Sequence, residues 1–191
     1  FMDDIRSRMT LPEKLQLCDI TLREGRQLPS VSLRRDEVIL IADKLVEAGV
    51  SMLQMHHDDP HEMEEVKKRH PGVIIEALIH PTATLNPERA KVEVDLNFDH
   101  GADYATFSFS ISPHQMCLFE SMAGARISVE EATKRAIDSV AYARAKAGRQ
   151  KKVGCLIQDT TRVPMEQLTG VGRKLVDAGA DMIKLDDING M

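Results

Sequence analysis

The feature that most constrains the fold is a regular alternation of short apolar runs and longer amphipathic runs along most of the chain. Short apolar runs predict strands, and runs with a period near 3.6 residues predict helices. The predicted strands are 15–23, 51–56, 73–80, 104–111, 153–159 and 182–187. The predicted helices are 35–48, 60–70, 87–100, 129–147 and 164–178. This strand–helix order predicts a parallel sheet covered by helices.

Glycines at helix ends suggest that one structural unit is repeated. Just after predicted helices come Gly49, Gly101, Gly148 and Gly179, at the position where a left-handed residue ends a helix. Residues 47–50 and 177–181 have similar helix-to-strand turns, each with the dipeptide Ala-Gly. The repeat favours a TIM (β/α)₈-type barrel. A doubly wound sheet stays open as the alternative.

The length bears on how much of a barrel is present. A closed barrel has eight units and about 250 residues, whereas this sequence has 191 residues and six predicted strands. Either the chain is a piece of a longer polypeptide or its fold departs from a closed barrel, and we favour the first. We expect a lead-in over residues 1–14 and a barrel domain over residues 15–191 that holds about six βα units, with the last two missing.

Composition excludes several classes of partner. Hydrophobic residues make up 42% of the chain and charged residues 29%, with a formal net charge of −5. This balance predicts a folded domain and argues against nucleic acid or an anionic membrane surface as a partner. The three cysteines form no CxxC pair, which favours a reducing cytoplasm over a disulfide framework. No apolar run approaches the length of a membrane span.

Residues 19–27 carry the densest set of reactive groups. If the first predicted strand is regular, Asp19 and Arg23 share one face with Leu15 and Leu17, and the strand becomes polar toward its carboxyl end. Glu24 is a hard oxygen ligand for a divalent cation, and Arg23 offers a planar fork of donors for a carboxylate or an enolate oxygen. The rival interpretation is a surface Arg–Glu pair beside a turn.

Polar residues follow nearly every predicted strand. They are His56, His57, Asp58 and Asp59, then His80, then Ser110, Ser112 and His114, then residues 158–162, and finally residues 186–190. In a barrel they would converge on one mouth, where barrel enzymes hold their chemistry. Some have simpler roles, because Asp58, Asp59 and Asn86 precede helices and are expected to cap them. We expect His61, His70 and His100 to face solvent.

The segment also resembles a known family signature, Asp-x-Thr-Leu-Arg-(Asp/Glu)-Gly-x-Gln. The matching residues are Asp19, Thr21, Leu22, Arg23, Glu24, Gly25 and Gln27. This signature opens the DRE-TIM metallolyases: hydroxymethylglutaryl-CoA lyase, the isopropylmalate, citramalate and homocitrate synthases, and the carboxyltransferase domains of biotin enzymes. Residues 112–114, 159–162 and 187–190 resemble later segments of the same family.

The resemblance implies a metal-dependent active site. Glu24 would hold Mg²⁺, Mn²⁺ or Zn²⁺ together with a His-x-His pair, which this sequence lacks. Arg23 would stabilise an enolate oxygen, with Asp19 or Gln27 fixing its guanidinium and His114 moving a proton. The implied substrate-binding residues are Ser112, Asp159, Thr160 and Arg162.

The implied function is that of a carbon–carbon bond lyase or a Claisen- or aldol-type acyltransferase. Its substrate would be a 2-oxo or 3-hydroxy acid, free or as a CoA thioester, and the enzyme would form a homo-oligomer. One alternative is a biotin-dependent carboxyltransferase, although Asp186 stands where those relatives carry a modified lysine, with Lys184 two residues earlier. Another is a non-catalytic homologue, because Gln54 and Gln158 replace two family carboxylates.

Overall fold

The computed structural model describes residues 7, 13–56, 59–123, 126–188 and 190, with only the backbone described for residues 119–123. The strands in this part are β1 (Met52–His56), β2 (Ile74–Ile79), β3 (Tyr104–Ser110), β4 (Lys152–Gln158) and β5 (Met182–Leu185). The α-helices are α1 (Thr21–Glu24), α2 (Arg35–Glu47), α3 (Pro60–Arg69), α4 (Pro81–Thr84), α5 (Pro87–Asp99), α6 (Pro113–Ala123), α7 (Val129–Ala147) and α8 (Met165–Asp177). Short 3₁₀ turns cover Gly25–Gln27 and Thr160–Arg162.

The five strands form one parallel sheet in which neighbours in sequence are neighbours in space. The strand order is β1-β2-β3-β4-β5, and every pair is parallel. A doubly wound sheet would reverse its strand order at a switch point, so that alternative is wrong. The chain has the parallel α/β fold of part of a (β/α)₈ barrel, as the alternation predicted.

The first predicted strand, 15–23, is wrong except at one residue. Asp19 forms a single parallel bridge with Leu53 of β1, and residues Thr21–Glu24 are helical. The Asp19 carboxylate accepts a hydrogen bond from the Thr21 amide at 2.9 Å, which turns the chain into α1. Because regular pairing stops at Asp19, alternation does not apply, and Leu15 and Leu17 are 77% and 79% exposed.

Two helices, α3 and α5, begin at side-chain caps that the sequence predicted. Asp59 accepts from the His61 amide at 3.1 Å at the start of α3, and Asn86 accepts from the Arg89 amide at 3.3 Å at the start of α5. Both predicted caps are confirmed, whereas Asp58 lies outside the described residues. The sequence did not predict α4 or α6. None of the described helices has the length and apolar character needed to cross a bilayer.

The two faces of β3 show where the core lies. Phe107 and Phe109 are fully buried on the face that packs in the main apolar cluster with the helices. The alternating residues Thr106, Ser108 and Ser110 are equally buried but polar, and in a parallel barrel they point to the inside. The apolar core therefore lies between sheet and helices, and the interior is left to polar groups.

Candidate active site

The polar interior is centred on Glu76, a carboxylate on β2 with no exposed surface. Its oxygens accept hydrogen bonds from Gln54 Nε2 at 2.9 Å and Thr106 Oγ1 at 2.6 Å. The Lys184 ammonium on β5 forms an ion pair with the same carboxylate. Burying a charge is costly unless it is paired and hydrogen-bonded, and these three donors meet that requirement.

Sequence reasoning missed Glu76 as a site residue, although a signal was present. An acid in the middle of the otherwise apolar run 73–79 breaks the pattern of a buried strand. The structure also gives Gln54 a context, because Gln54 and Glu76 are direct partners in the β1–β2 register. Gln54 stands where the family resemblance implies a carboxylate, and Glu76 on the neighbouring strand supplies one beside it.

Arg23 and Glu24 lie together on α1 beside this interior and form an ion pair. The Arg23 side chain is 14% exposed and that of Glu24 is 47% exposed. Burial lowers the pKa of Arg23, while the nearby carboxylates of Asp186 and Glu76 raise it. Arg23 is therefore a half-buried cation facing interior acids, whereas Glu24 reaches toward solvent.

The residues expected to fix the Arg23 guanidinium are engaged elsewhere or exposed. The Asp19 carboxylate caps the Thr21 amide, and Gln27 is exposed. Within the described part of the chain, neither forms a hydrogen bond with Arg23. The role given to these two residues stays a prediction, and the contact that the structure shows for the Asp19 carboxylate is with the backbone at Thr21.

A second polar group joins the ends of β3 and β4. Asp159 is fully buried and accepts a short hydrogen bond of 2.5 Å from Ser112 Oγ. Arg162 Nη1 lies 3.2 and 3.3 Å from the two Asp159 carboxylate oxygens. The structure thus brings together three of the four predicted substrate-binding residues.

The backbone of Asp159 is in an unusual conformation, with φ 57° and ψ 40°. This left-handed region is uncommon for residues other than glycine, although Asp tolerates it better than most.

Ser110 connects the ends of β3 and β4. Its Oγ donates a hydrogen bond to the Gln158 carbonyl at 2.9 Å and accepts one from the Ser112 amide at 3.1 Å. Gln158 therefore contributes its carbonyl to this site.

Asp186 connects the two polar groups. Its backbone carbonyl accepts from the Thr160 amide at 3.0 Å and from Thr160 Oγ1 at 3.2 Å. Burial raises the pKa of the Asp186 carboxyl; the positive charge of Arg23 lowers it, and the nearby Asp187 and Asp159 add to the rise. Arg23 and Asp159 therefore both lie close enough to the Asp186 carboxyl to shift its pKa.

His114 is placed apart from these contacts. It is the second residue of α6, and its side chain is exposed. In the described ranges it forms no hydrogen bond or ion pair with Arg23, Ser112 or Asp159. Its role as a proton carrier therefore stays a prediction, with no supporting contact among the described residues.

Comparison with known proteins identifies the family. The sequence profile described as HMGL-like matches residues 14–191. The chain belongs to the HMGL-like family. This is the DRE-TIM family suggested by the segment 19–27, so the resemblance is confirmed.

The similar sequences are named synthases. A 2-isopropylmalate synthase of Methanocaldococcus jannaschii is 31% identical over 187 residues, which are 96% of this chain and 33% of that protein. A homocitrate synthase of Saccharolobus solfataricus is 26% identical over 184 residues, 93% of this chain and 37% of that protein. This HMGL-like chain spans a third or a little more of the length of these relatives.

Solved structures agree on the fold. The carboxyl transferase domain of Rhizobium etli pyruvate carboxylase with pyruvate has a TM-score of 0.64 at 16% identity, covering 93% of this chain and 31% of that one. The deoxyribose phosphate aldolase of Aeropyrum pernix has a TM-score of 0.61 at 13% identity, covering 90% and 62%. At these identities the likeness shows the fold alone.

The metal predicted at Glu24 can be tested against the available ligands. HMGL-like proteins are typically divalent-metal dependent, and a site normally takes several oxygen or nitrogen ligands. Among the described residues, no group of three candidate ligands includes Glu24, and its carboxylate pairs with Arg23. The described residues alone therefore do not make the predicted metal site.

Proposed function

We propose that this HMGL-like chain carries the part of an active site that contains Arg23. That active site would join an acyl-CoA to a 2-oxo acid. The reaction would be a Claisen-type condensation that forms a carbon–carbon bond. The names of the two relatives, 2-isopropylmalate synthase and homocitrate synthase, favour synthesis over cleavage. A lyase acting in the reverse direction on a 3-hydroxy acid thioester uses the same intermediates and is the nearest variant.

One observation carries the proposal: Arg23 is a half-buried guanidinium beside the interior carboxylates Glu76 and Asp186. In a condensation, a base removes a proton from the α-carbon of an acyl-CoA, and the enolate carbon adds to the keto carbon of the second substrate. Negative charge develops first on the enolate oxygen and next on the former keto oxygen, which then takes up a proton. Water hydrolyses the thioester of the adduct, which releases CoA as the free thiol. A fixed cation in a site shielded from water stabilises such charge strongly.

The second polar group would orient the substrates. Ser112, Asp159 and Arg162 are joined by hydrogen bonds, and Thr160 is bound to the backbone of Asp186. Arg162 keeps 27% of its side chain exposed, which leaves it accessible to a substrate carboxylate. Because Asp159 holds the guanidinium, Arg162 would meet that carboxylate with little loss of side-chain freedom.

The test is an assay of CoA release in the longest natural polypeptide that contains this sequence, with acetyl-CoA and a panel of 2-oxo acids. Replacing Arg23→Lys should lower kcat by about 10²- to 10³-fold, because Lys lacks the planar fork of donors. The matched control is Arg34→Lys, on an exposed side chain, which should keep full activity. Unchanged kcat in Arg23→Lys would refute the proposal.

The metal has a separate test. Metal analysis of the same polypeptide should find a divalent ion, and the variant Glu24→Gln should lose it. We expect the other ligands of that ion to come from outside the described residues. A purified protein without metal and without turnover would support the alternative of a non-catalytic homologue.

A biotin-dependent carboxyltransferase remains the second candidate, because Lys184 lies inside the barrel. Lys184 stands two residues before Asp186 in the sequence, and its ammonium forms an ion pair with Glu76. If Lys184 were the reactive group, Lys184→Arg would abolish oxaloacetate decarboxylation while keeping the ion pair. Retained decarboxylation in that variant would exclude this candidate.

We further propose that the enzyme is cytoplasmic and acts as a homo-oligomer on small carboxylic acids. Support for a reducing compartment comes from Cys18, Cys117 and Cys155, which are all free thiols in the structure.

A further inference from the structure

Three metal-binding side chains converge at the surface of the helical layer, independently of the site described above. His61 and Glu64 lie on α3, and His100 lies directly after α5. One ligand atom from each lies within 4.8 Å of the other two. The rings of His61 and His100 stand edge to face with centroids 4.9 Å apart. Two imidazoles and a carboxylate therefore meet from two helices.

A backbone contact orients the His100 ring in the way that metal-binding histidines are commonly oriented. Its Nδ1 lies 2.9 Å from the carbonyl oxygen of Leu96, and a carbonyl oxygen only accepts hydrogen bonds. In the neutral ring, the proton therefore resides on Nδ1 and the lone pair on Nε2. Histidines that bind metals commonly donate their second ring N–H to a backbone carbonyl, which fixes the orientation of the ring.

Among the described residues, the carboxylate of Glu64 has no Lys or Arg partner. Its partner is His61, whose Nδ1 lies 3.5 Å from Glu64 Oε2, and no Lys or Arg in the described ranges forms an ion pair with it. The adjacent charges are engaged otherwise, since Glu65 pairs with Arg69 and Lys67 pairs with Asp103. A bound cation would therefore not have to displace an existing salt bridge.

We propose that His61, Glu64 and His100 form a site for a divalent transition metal, with Zn²⁺ as the fitting ion. Imidazole nitrogens suit Zn²⁺, Cu²⁺ and Ni²⁺, whereas Mg²⁺ prefers oxygen ligands. Three protein ligands with water in the fourth position are a known tetrahedral arrangement. His61 and Glu64 are exposed, so their side chains have room to rotate until all three ligands reach bonding distance.

A metal bound at this site would cross-link α3 to the end of α5. Metal that binds the folded state and not the unfolded chain stabilises the fold, and the stabilisation rises with the logarithm of the free metal concentration once that exceeds the Kd. This inference goes beyond the proposed function and does not depend on it, because none of the three residues belongs to the groups around Glu76 and Asp159.

The experiment is a calorimetric titration of the metal-free full chain with ZnCl₂. Cys117→Ser serves as the background, so that the exposed thiol cannot contribute a ligand. One Zn²⁺ should bind per chain at this site, and His61→Ala or His100→Ala should each raise its Kd by at least about tenfold. The matched control is Glu65→Gln, on the same helix, which should bind Zn²⁺ as the background does.

Two further readouts keep the result specific. Zn²⁺ should raise the Tm of the background protein but not that of the double variant His61→Ala/His100→Ala, and Mg²⁺ should not compete for the site. Glu24→Gln should leave this binding unchanged, which separates it from any metal at the proposed active site. Unchanged Zn²⁺ affinity in the double variant, or equal competition by Mg²⁺, would overturn the proposal.

Discussion

Lys184 on β5 and Glu76 on β2 form an ion pair although β3 and β4 lie between their strands in the sheet. A flat sheet would hold β2 and β5 about 14 Å apart at the usual strand spacing. The pair therefore spans the concave side of a curved sheet, as a barrel wall requires. It links residues 108 positions apart in sequence, and it places a cation and an acid in the interior that Arg23 borders.

The first prediction concerns this ion pair. Lys184→Met should lower the free energy of unfolding by about 3–5 kcal/mol, because it leaves Glu76 as an uncompensated buried charge. Urea unfolding monitored by circular dichroism measures the change.

The control is the double variant Glu76→Gln/Lys184→Met. A neutral amide in place of the Glu76 carboxylate would remove the orphaned charge, so the double variant should recover most of the lost stability. A single variant as stable as the parent, or a double variant no better than the single, would show that the pair does not carry this role.

The second prediction concerns close approach at β4. A Cβ built on Gly154 would lie 3.1 Å from the Thr106 Cβ and overlap its hydroxyl, which is the donor to Glu76. Gly154→Ala should therefore cost about 1–3 kcal/mol of stability. The matched control is Gly170→Ala in α8, where nothing lies within 4 Å. That change should stabilise the protein by about 0.4–1 kcal/mol, and a similar effect of both substitutions would contradict the packing argument.

Local patterns predicted most of the fold. The strands β1 to β5 and the long helices follow from hydrophobic period and from caps such as Asp59, because those signals act between near neighbours. The segment 15–23 was predicted wrongly because only Asp19 pairs with β1, and its carboxylate turns the chain into a helix. Sequence alone did not show that this local hydrogen bond would outweigh strand pairing.

The candidate site was predicted only in part, because local sequence patterns mark single residues but not the contacts between distant ones. The family signature marked Arg23, and the strand-end pattern marked Ser112 and Asp159, which the structure joins. Glu76 was missed although it interrupts an apolar run. Its pairing with Lys184 could not be predicted, because the two residues are distant in sequence and only the curved sheet brings them together. His70 was expected to face solvent, yet it is half-buried against Asp43, another contact between distant residues.

The third prediction concerns thiol reactivity. Burial raises the pKa of Cys18 to about 12, and the negative charge of Glu76 adds to the rise; burial alone raises the pKa of Cys155 to about 12. At pH 8 both thiols are neutral, and the thiolate is the reactive form. A thiol reagent should therefore label the exposed Cys117 rapidly and the other two slowly. Cys117→Ser should remove the fast phase, and a remaining fast phase would contradict the burial of Cys18.

The fourth prediction concerns acid stability. The hydrogen bond from His70 Nε2, at 2.7 Å, and the charge of Arg69 lower the pKa of Asp43 below its usual value, against a smaller opposing effect of burial. A carboxyl whose pKa is lower in the folded state stabilises the fold above its unfolded pKa of about 3.9. That contribution is lost as the pH falls through the folded pKa.

The test compares Asp43→Asn with the parent protein by urea unfolding at several pH values. At pH 7 the variant should be less stable by no more than about 1 kcal/mol, because the pair is partly exposed. The difference should shrink as the pH falls below about 4, since the parent then loses the charge that Asn already lacks. Arg34→Gln, which breaks only exposed pairs with Asp36 and Glu37, is the control and should have a smaller effect at pH 7. A difference between Asp43→Asn and the parent that grew toward low pH would mean that Asp43 is not held ionised by His70 and Arg69.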